Sequence, residues 1–196
     1  MPLTINQLIN NVHDWARARG IYEHSTFDAQ MLKALSEAGE LCDAAIKNDA
    51  AGIKDAIGDV LVCVINAAEM TTPEVAMDFR EAVSCIDEAS EKPDTYQGLK
   101  DEAAHVPFLL SAAYKANRFH GRPPLFGEHV ASLPSIAYTL TLLARHQGYT
   151  LRDALESAWN EIKDRKGRMV AGGAFVKEPE PTAHPDQLAL NLEGTC

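Results

Sequence analysis

Apolar residues return along the chain mainly at three- and four-residue intervals, as in Leu8, Val12 and Trp15, and again in Met31, Leu35, Ala38, Leu41 and Ala45. That is the spacing of one buried face of an α-helix. Alternating, strand-like runs are scarce. The pattern predicts helices near residues 4–19, 26–48, 50–70, 74–90, 97–118, 128–147 and 150–166. Several boundaries have side-chain causes: Thr4 precedes the first helix, Ser25 or Thr26 can cap the second, and Thr72 caps the fourth with Pro73 at its first position. Thr150 caps the last, after Gly148 has ended its predecessor.

The expected fold is therefore an all-α helical bundle, one domain over residues 1–178. The stretch Gly121 to Gly127 holds two prolines and reads as a loop. Beyond Lys166 the chain is rich in Gly and Pro, so it is expected to run extended and to end in a flexible tail over 179–196. Residues 26–70 and 97–147 share a loose layout of long helix, break and second apolar helix, which a decayed duplication or simple amphipathic likeness would equally produce.

Composition narrows the function classes. A length of 196 residues with 46% hydrophobic content suffices for one substantial core. The net charge of −10 argues against a nucleic-acid polymer as partner, because backbone binding needs clustered Lys and Arg; a pocket for a single nucleotide stays open. No apolar run approaches the roughly 20 residues that span a bilayer, and residues 1–11 lack the order of a signal peptide, so no membrane partner and a cytoplasmic location are expected. Cys42, Cys63 and Cys85 lie among apolar helical neighbours and read as buried, reduced thiols.

The acidic residues carry the candidate chemistry. Glu37 and Glu40 are three apart and share a helix face beside the apolar stripe. In the next helix Asp55 and Asp59 are four apart, with Asn66 seven beyond, in the otherwise apolar run AIGDVLVCVINAA. A carboxylate in such a run is costly to bury unless paired or bound to a cation. Gly58 beside it allows close approach of a helix or a ligand. A short turn around Asn48 to Gly52 can bring the two acidic faces together, and converging carboxylates call for a hard divalent cation; Mg²⁺ fits, with Mn²⁺ as the alternative metal. An ordinary solvated acidic face gives the same spacing. A di-iron bundle needs two ExxH pairs, and one occurs, Glu102 to His105.

The segments AQMLKALSEAGELCDAAIKND and IKDAIGDVLVCVINAA resemble the core of the MazG-like all-α nucleoside triphosphate pyrophosphohydrolases, and AWNEIKDRKGRMVAGGAFVKE resembles the closing helix and tail of that family and of the related dimeric deoxyuridine triphosphatases. The resemblance implies a four-helix catalytic core with additional helices, and metal-binding motifs EExxE and ExxD. The second and third acids of the first motif fall on Glu37 and Glu40, with Ser36 in place of its first; the last acid of the second falls on Asp59. Its glutamate position is Ala56, and the nearest acid, Asp55, lies about 100° round the helix. The resemblance thus implies catalytic, metal-binding Glu37, Glu40 and Asp59, and hydrolysis of a nucleoside triphosphate, more readily a deoxynucleotide, to monophosphate and pyrophosphate; at the departure from the motif, either Asp55 and Asn66 complete the metal site, or the site holds fewer metals, or activity is lost. It favours Asn160, Lys163 and Arg168 as contacts to substrate, and a homodimer or homotetramer as the assembly; Gln30 and Lys33, which share the helix face of Glu37, and Asn66, which shares that of Asp59, are further substrate-binding candidates by position. Trp15 and Trp159 are candidates for base stacking or for core. Ala56 leaves a second reading, a catalytically silent helical module that binds protein partners.

Overall fold

The computed structural model describes residues 2–89, 97–118, 133–173 and 175–178. Its helices are α1 (Ile5–Ala18), α2 (Ile21–His24), α3 (Phe27–Lys47), α4 (Ala50–Glu69), α5 (Pro73–Glu88), α6 (Leu99–Arg118), α7 (Leu133–His146) and α8 (Leu151–Ile162), followed by the short strands β1 (Gly167–Met169) and β2 (Phe175–Lys177). The all-α class is as expected, and the capping residues act as the sequence indicates. Thr4, Thr26, Thr72 and Thr150 each accept a backbone N–H at the start of α1, α3, α5 and α8, satisfying donors that a helix N-terminus leaves open. The GRPPLFG stretch, residues 128–132 of the sixth predicted helix and the 179–196 tail lie outside the described residues.

α4 is the axis of the bundle. Its Ile53, Ile57, Leu61 and Ile65 are fully buried, and it packs against α1, α3, α5, α7 and α8. α3 returns antiparallel to it through a tight turn in which Asn48 takes a left-handed conformation (φ 53°) and Asp49 caps α4, accepting from the N–H groups of Ala51 and Gly52 at 3.1 Å. Asn tolerates that φ better than most residues because its short amide bonds locally. The pair α6 and α7 stacks on α3 and α4, α6 against α3 and α7 against α4, and a single apolar cluster runs through these elements.

Four features depart from the sequence reading. Between the first two predicted helices, where no element was expected, Gly20 (φ 69°) leads into the short separate helix α2. The last helix stops at Ile162 rather than at 166: Trp15 Nε1 donates to the Ile162 carbonyl at 2.8 Å, and the Arg19 guanidinium donates to the carbonyls of Lys163 and Arg165. These side chains meet the carbonyls that a helix end leaves free. The segment expected to be merely extended forms a two-stranded antiparallel ribbon, Gly167 opposite Lys177 and Met169 opposite Phe175. Its Phe175 packs edge-on to Trp15, with ring centroids 5.8 Å apart. Finally, of the three thiols expected to be buried, Cys63 is buried, Cys42 is half-buried and Cys85 is exposed; α5 buries only Phe79 and Val83, and Cys85 lies off that face. No helix of the described residues is long and apolar enough to cross a membrane.

Candidate active site

α3, α4 and α8 meet around a cleft of about 560 Å³. Its walls are apolar toward α1 and the ribbon, with Trp15, Ile21, Leu32, Val62, Ile162 and Phe175, and polar at one end, with Lys33, Glu37, Asp59 and Arg165. Gln30 and Asn66 complete the lining, and Gly172 and Gly173 at the ribbon's turn close one side. Gly173 has φ 80°, and a Cβ there would stand 3.0 Å from Ser25 Cα, so glycine is what lets the turn sit against the start of α3.

Gly58 explains how α8 reaches this place. A Cβ on it would lie 2.5 Å from the Ala154 carbonyl oxygen and 2.8 Å from Ala158 Cβ. The absence of a side chain on α4 and the small Ala154 and Ala158 on α8 let the two backbones approach closely. That docking carries Glu161 and Arg165 to the acidic end of the cleft.

Five carboxylates consequently influence one another. Glu37 is 5% exposed and paired with Lys33 one turn earlier on α3. Burial raises the Asp59 carboxyl to about 7, with the charges of Glu37, Asp55 and Glu161 adding to the shift and Arg165 opposing it. Burial also raises Asp55, helped by Glu161, Glu37 and Glu40. Lys33 is held above its ordinary value: burial acts against this, and its hydrogen bond to Glu37 and that residue's charge prevail. Arg165 pairs with Glu161. Cys63, a turn beyond Asp59, has its thiol pushed up by burial and by the neighbouring acids, so it lines the cleft as an uncharged group.

The sequence-predicted residues divide into two sets. Gln30, Lys33, Glu37, Asp59 and Asn66 line the cleft, while Glu40 and Asp55 are exposed and act on the same acids from its outer side. Ala56 is buried in the core, and Asp55 is the acid of that turn that faces the others. Asn160 and Lys163 are exposed and bonded to each other at 2.9 Å, and Arg168 is exposed on β1; none of the three lines the cleft. Glu161 and Arg165 are additions that were not among the sequence-predicted site residues. Part of the signal was present: Ala154, Ala158 and Glu161 recur at helical spacing on α8, whose Ala154 and Ala158 meet Gly58. Trp15 belongs to both of its candidate settings, since it is buried yet forms part of the wall. Trp159 packs against the core.

The donor chemistry fits a hard divalent cation, which takes carboxylate oxygens and relieves repulsion among them. As the side chains stand, no three His, Cys, Asp or Glu among the described residues are gathered into a metal-holding group; Lys33 and Arg165 provide the countercharge instead.

Comparison with known proteins finds a match over part of the chain. The family model described as the MazG nucleotide pyrophosphohydrolase domain matches residues 25–92, which include α3, α4 and α5 and hence Glu37, Glu40, Asp55 and Asp59. The chain is similar to an uncharacterized 18.2 kDa protein in the rep-hol intergenic region of Haemophilus phage HP1 (strain HP1c1), with 42% identity over 65 residues, 33% of this chain. The similarity spans 40% of that relative's length. No solved structure matches the chain. α8 and the segment just after it, which supply Glu161 and Arg165, lie beyond the matched residues.

Proposed function

We propose that the protein hydrolyses a nucleoside triphosphate, preferentially a deoxynucleotide, to the monophosphate and pyrophosphate, a reading that starts from the match of residues 25–92 to the MazG nucleotide pyrophosphohydrolase domain. The observation that carries the reading is the meeting of the acids of α3 and α4 with Lys33 and Arg165 in a cleft that also has an apolar wall of Trp15, Ile21, Val62, Ile162 and Phe175. Triphosphate at the charged end and nucleoside along the apolar wall is the division of labour such a cleft suits.

Glu37, Glu40, Asp55 and Asp59 would hold Mg²⁺, with Glu161 beside them. Mg²⁺ supplies polarisation of phosphoryl oxygens and lowers the pKa of the attacking water. The protein's own groups do the rest. Lys33 and Arg165, cations within the cleft, orient phosphate oxygens. Glu37, Glu40 or Asp59 accepts the proton of the water as its oxygen bonds to phosphorus and the bond to the pyrophosphate oxygen breaks. The apolar wall of Trp15, Val62 and Phe175 excludes bulk water from the nucleoside. A homodimer or homotetramer is the proposed assembly.

Ala56 favours a second reading, a helical module without catalysis, because a motif glutamate is replaced by a core residue. Mg²⁺ separates the two. The enzyme reading expects the melting temperature to rise on adding the ion, since a ligand that binds only the folded state stabilises it by mass action. A melting temperature indifferent to Mg²⁺ would favour the silent module.

A further inference from the structure

Asn66 lies seven residues beyond Asp59 on α4, two turns or roughly 10 Å along the helix, so it serves the nucleoside end of the cleft when phosphates occupy the acidic end. Its side chain is 2% exposed and does not stand alone. The Tyr22 hydroxyl, from α2, donates to Asn66 Oδ1 at 3.0 Å. The same hydroxyl lies 2.6 Å from His13 Nδ1, on α1. A phenol has one proton, and here it is given to Asn66, so the short contact is closed by His13 donating Nδ1–H to the Tyr22 oxygen. His13 Nε2 then faces Glu69 at 3.8 Å, beyond hydrogen-bonding distance. Burial lowers the His13 pKa; Glu69 on α4 and Asp14 on α1 oppose this, while Arg80 on α5 and Arg17 on α1 reinforce it. The neutral ring with its proton on Nδ1 and the charged ring both donate to Tyr22, so the direction of the chain is the same in either state.

With its oxygen turned to the Tyr22 hydroxyl and one of its two lone pairs taken there, Asn66 is oriented to meet a ligand through the two N–H donors of Nδ2. We propose that Tyr22, held by His13, is a positioning residue that fixes Asn66 as a hydrogen-bond donor, so that the nucleoside end of the cleft selects a carbonyl or hydroxyl oxygen of the substrate. This rests on the reading of the cleft as a nucleotide site. The elements supplying these three residues are joined to the site: α1 and α2 pack on each other, α1 also packs on α4, and Ile21 on α2 lines the same cleft as Asn66.

The test compares Tyr22→Phe, His13→Leu and His13→Asn with the wild type. Each is assayed for binding of the common NTPs and dNTPs by melting-temperature shift and, with Mg²⁺, for steady-state hydrolysis. Tyr22→Phe is expected to raise KM for the preferred nucleotide about tenfold, the scale of one lost orienting hydrogen bond, and to leave kcat within about threefold. Discrimination among nucleotides should shrink with it. His13→Leu should behave the same way, whereas His13→Asn, whose amide can place a donor near the Nδ1 position, should restore KM toward the wild-type value. Independently of any nucleotide, the Asn66 side-chain amide protons should shift in the NMR spectrum of Tyr22→Phe. Unchanged KM and selectivity in Tyr22→Phe, or a fall in kcat alone, overturns the relay while leaving the nucleotide site intact. A wild type that neither binds nor hydrolyses any nucleotide overturns the site reading itself, and an unshifted Asn66 amide would then overturn the relay as well.

Discussion

Asp59→Asn is expected to yield a protein that is less active and, without metal, more stable above neutral pH. Turnover should fall by at least about 10²-fold, the scale of losing one positioned group at the reacting centre. Stability should move the other way. The Asp59 carboxyl is raised from 3.8 to about 7 by burial and the surrounding acids. A group whose folded pKa lies above its unfolded value retains its proton in the folded chain after the unfolded chain has released it. Its contribution to stability is therefore complete below about pH 4 and is lost as pH rises through about 7. The shift corresponds to on the order of 2–4 kcal/mol. Metal-free wild type should melt at a lower temperature near about pH 8 than near about pH 5.5, and much of that difference should vanish in Asp59→Asn. Calorimetry at both pH values reads this out. A variant that melts below the wild type at the higher pH would mean that Asp59 is a favourable structural charge rather than a strained one.

Gly58→Ala is the second substitution with a large expected effect, and it acts without touching a functional group. The added methyl would meet the Ala154 carbonyl oxygen at 2.5 Å and Ala158 Cβ at 2.8 Å, backbone and a short side chain that cannot swing aside. Overpacking of this kind costs about 1–3 kcal/mol, against a gain of about 1 kcal/mol in helix propensity. α8 must move outward, drawing Glu161 and Arg165 away from Asp59. We expect a lower melting temperature together with a loss of turnover larger than the lost stability explains, measured at a temperature where the variant is fully folded. Full activity in a folded Gly58→Ala would show that the placement of α8 does not matter to the chemistry.

The two substitutions mark where sequence reading stops. Helices were legible because each long helix of the bundle buries one face, which imprints a regular apolar spacing, and because Thr and Asp caps mark their starts. α2 was not, since a four-residue helix is shorter than the period that would reveal it. The ribbon escaped for the same reason, its strands being three residues each. The end of α8 is set by Trp15 and Arg19, almost 150 positions away in sequence, and no local pattern encodes that.

Within the site, the local pairs Glu37 with Glu40 and Asp55 with Asp59 could be read from helical geometry alone. Glu161 and Arg165 could not be placed until α8 was docked on Gly58. Lys163 was the cation the resemblance favoured, yet just past the end of α8 it lies in solvent beside Asn160, while Arg165 lines the cleft. Ala56 raised a doubt about the acidic set, and the fold gives that doubt a location: position 56 faces the core, whereas Asp55 faces Glu161.

The most direct test of the central claim is a product analysis. Purified protein is incubated with Mg²⁺ and each common NTP and dNTP in turn, the nucleotides are separated by chromatography, and pyrophosphate and phosphate are assayed apart. The account predicts monophosphate and pyrophosphate in equal amounts from one or a few substrates, with the reaction lost in Glu40→Gln. Diphosphate with free phosphate, or no turnover of any nucleotide by folded protein, would contradict it.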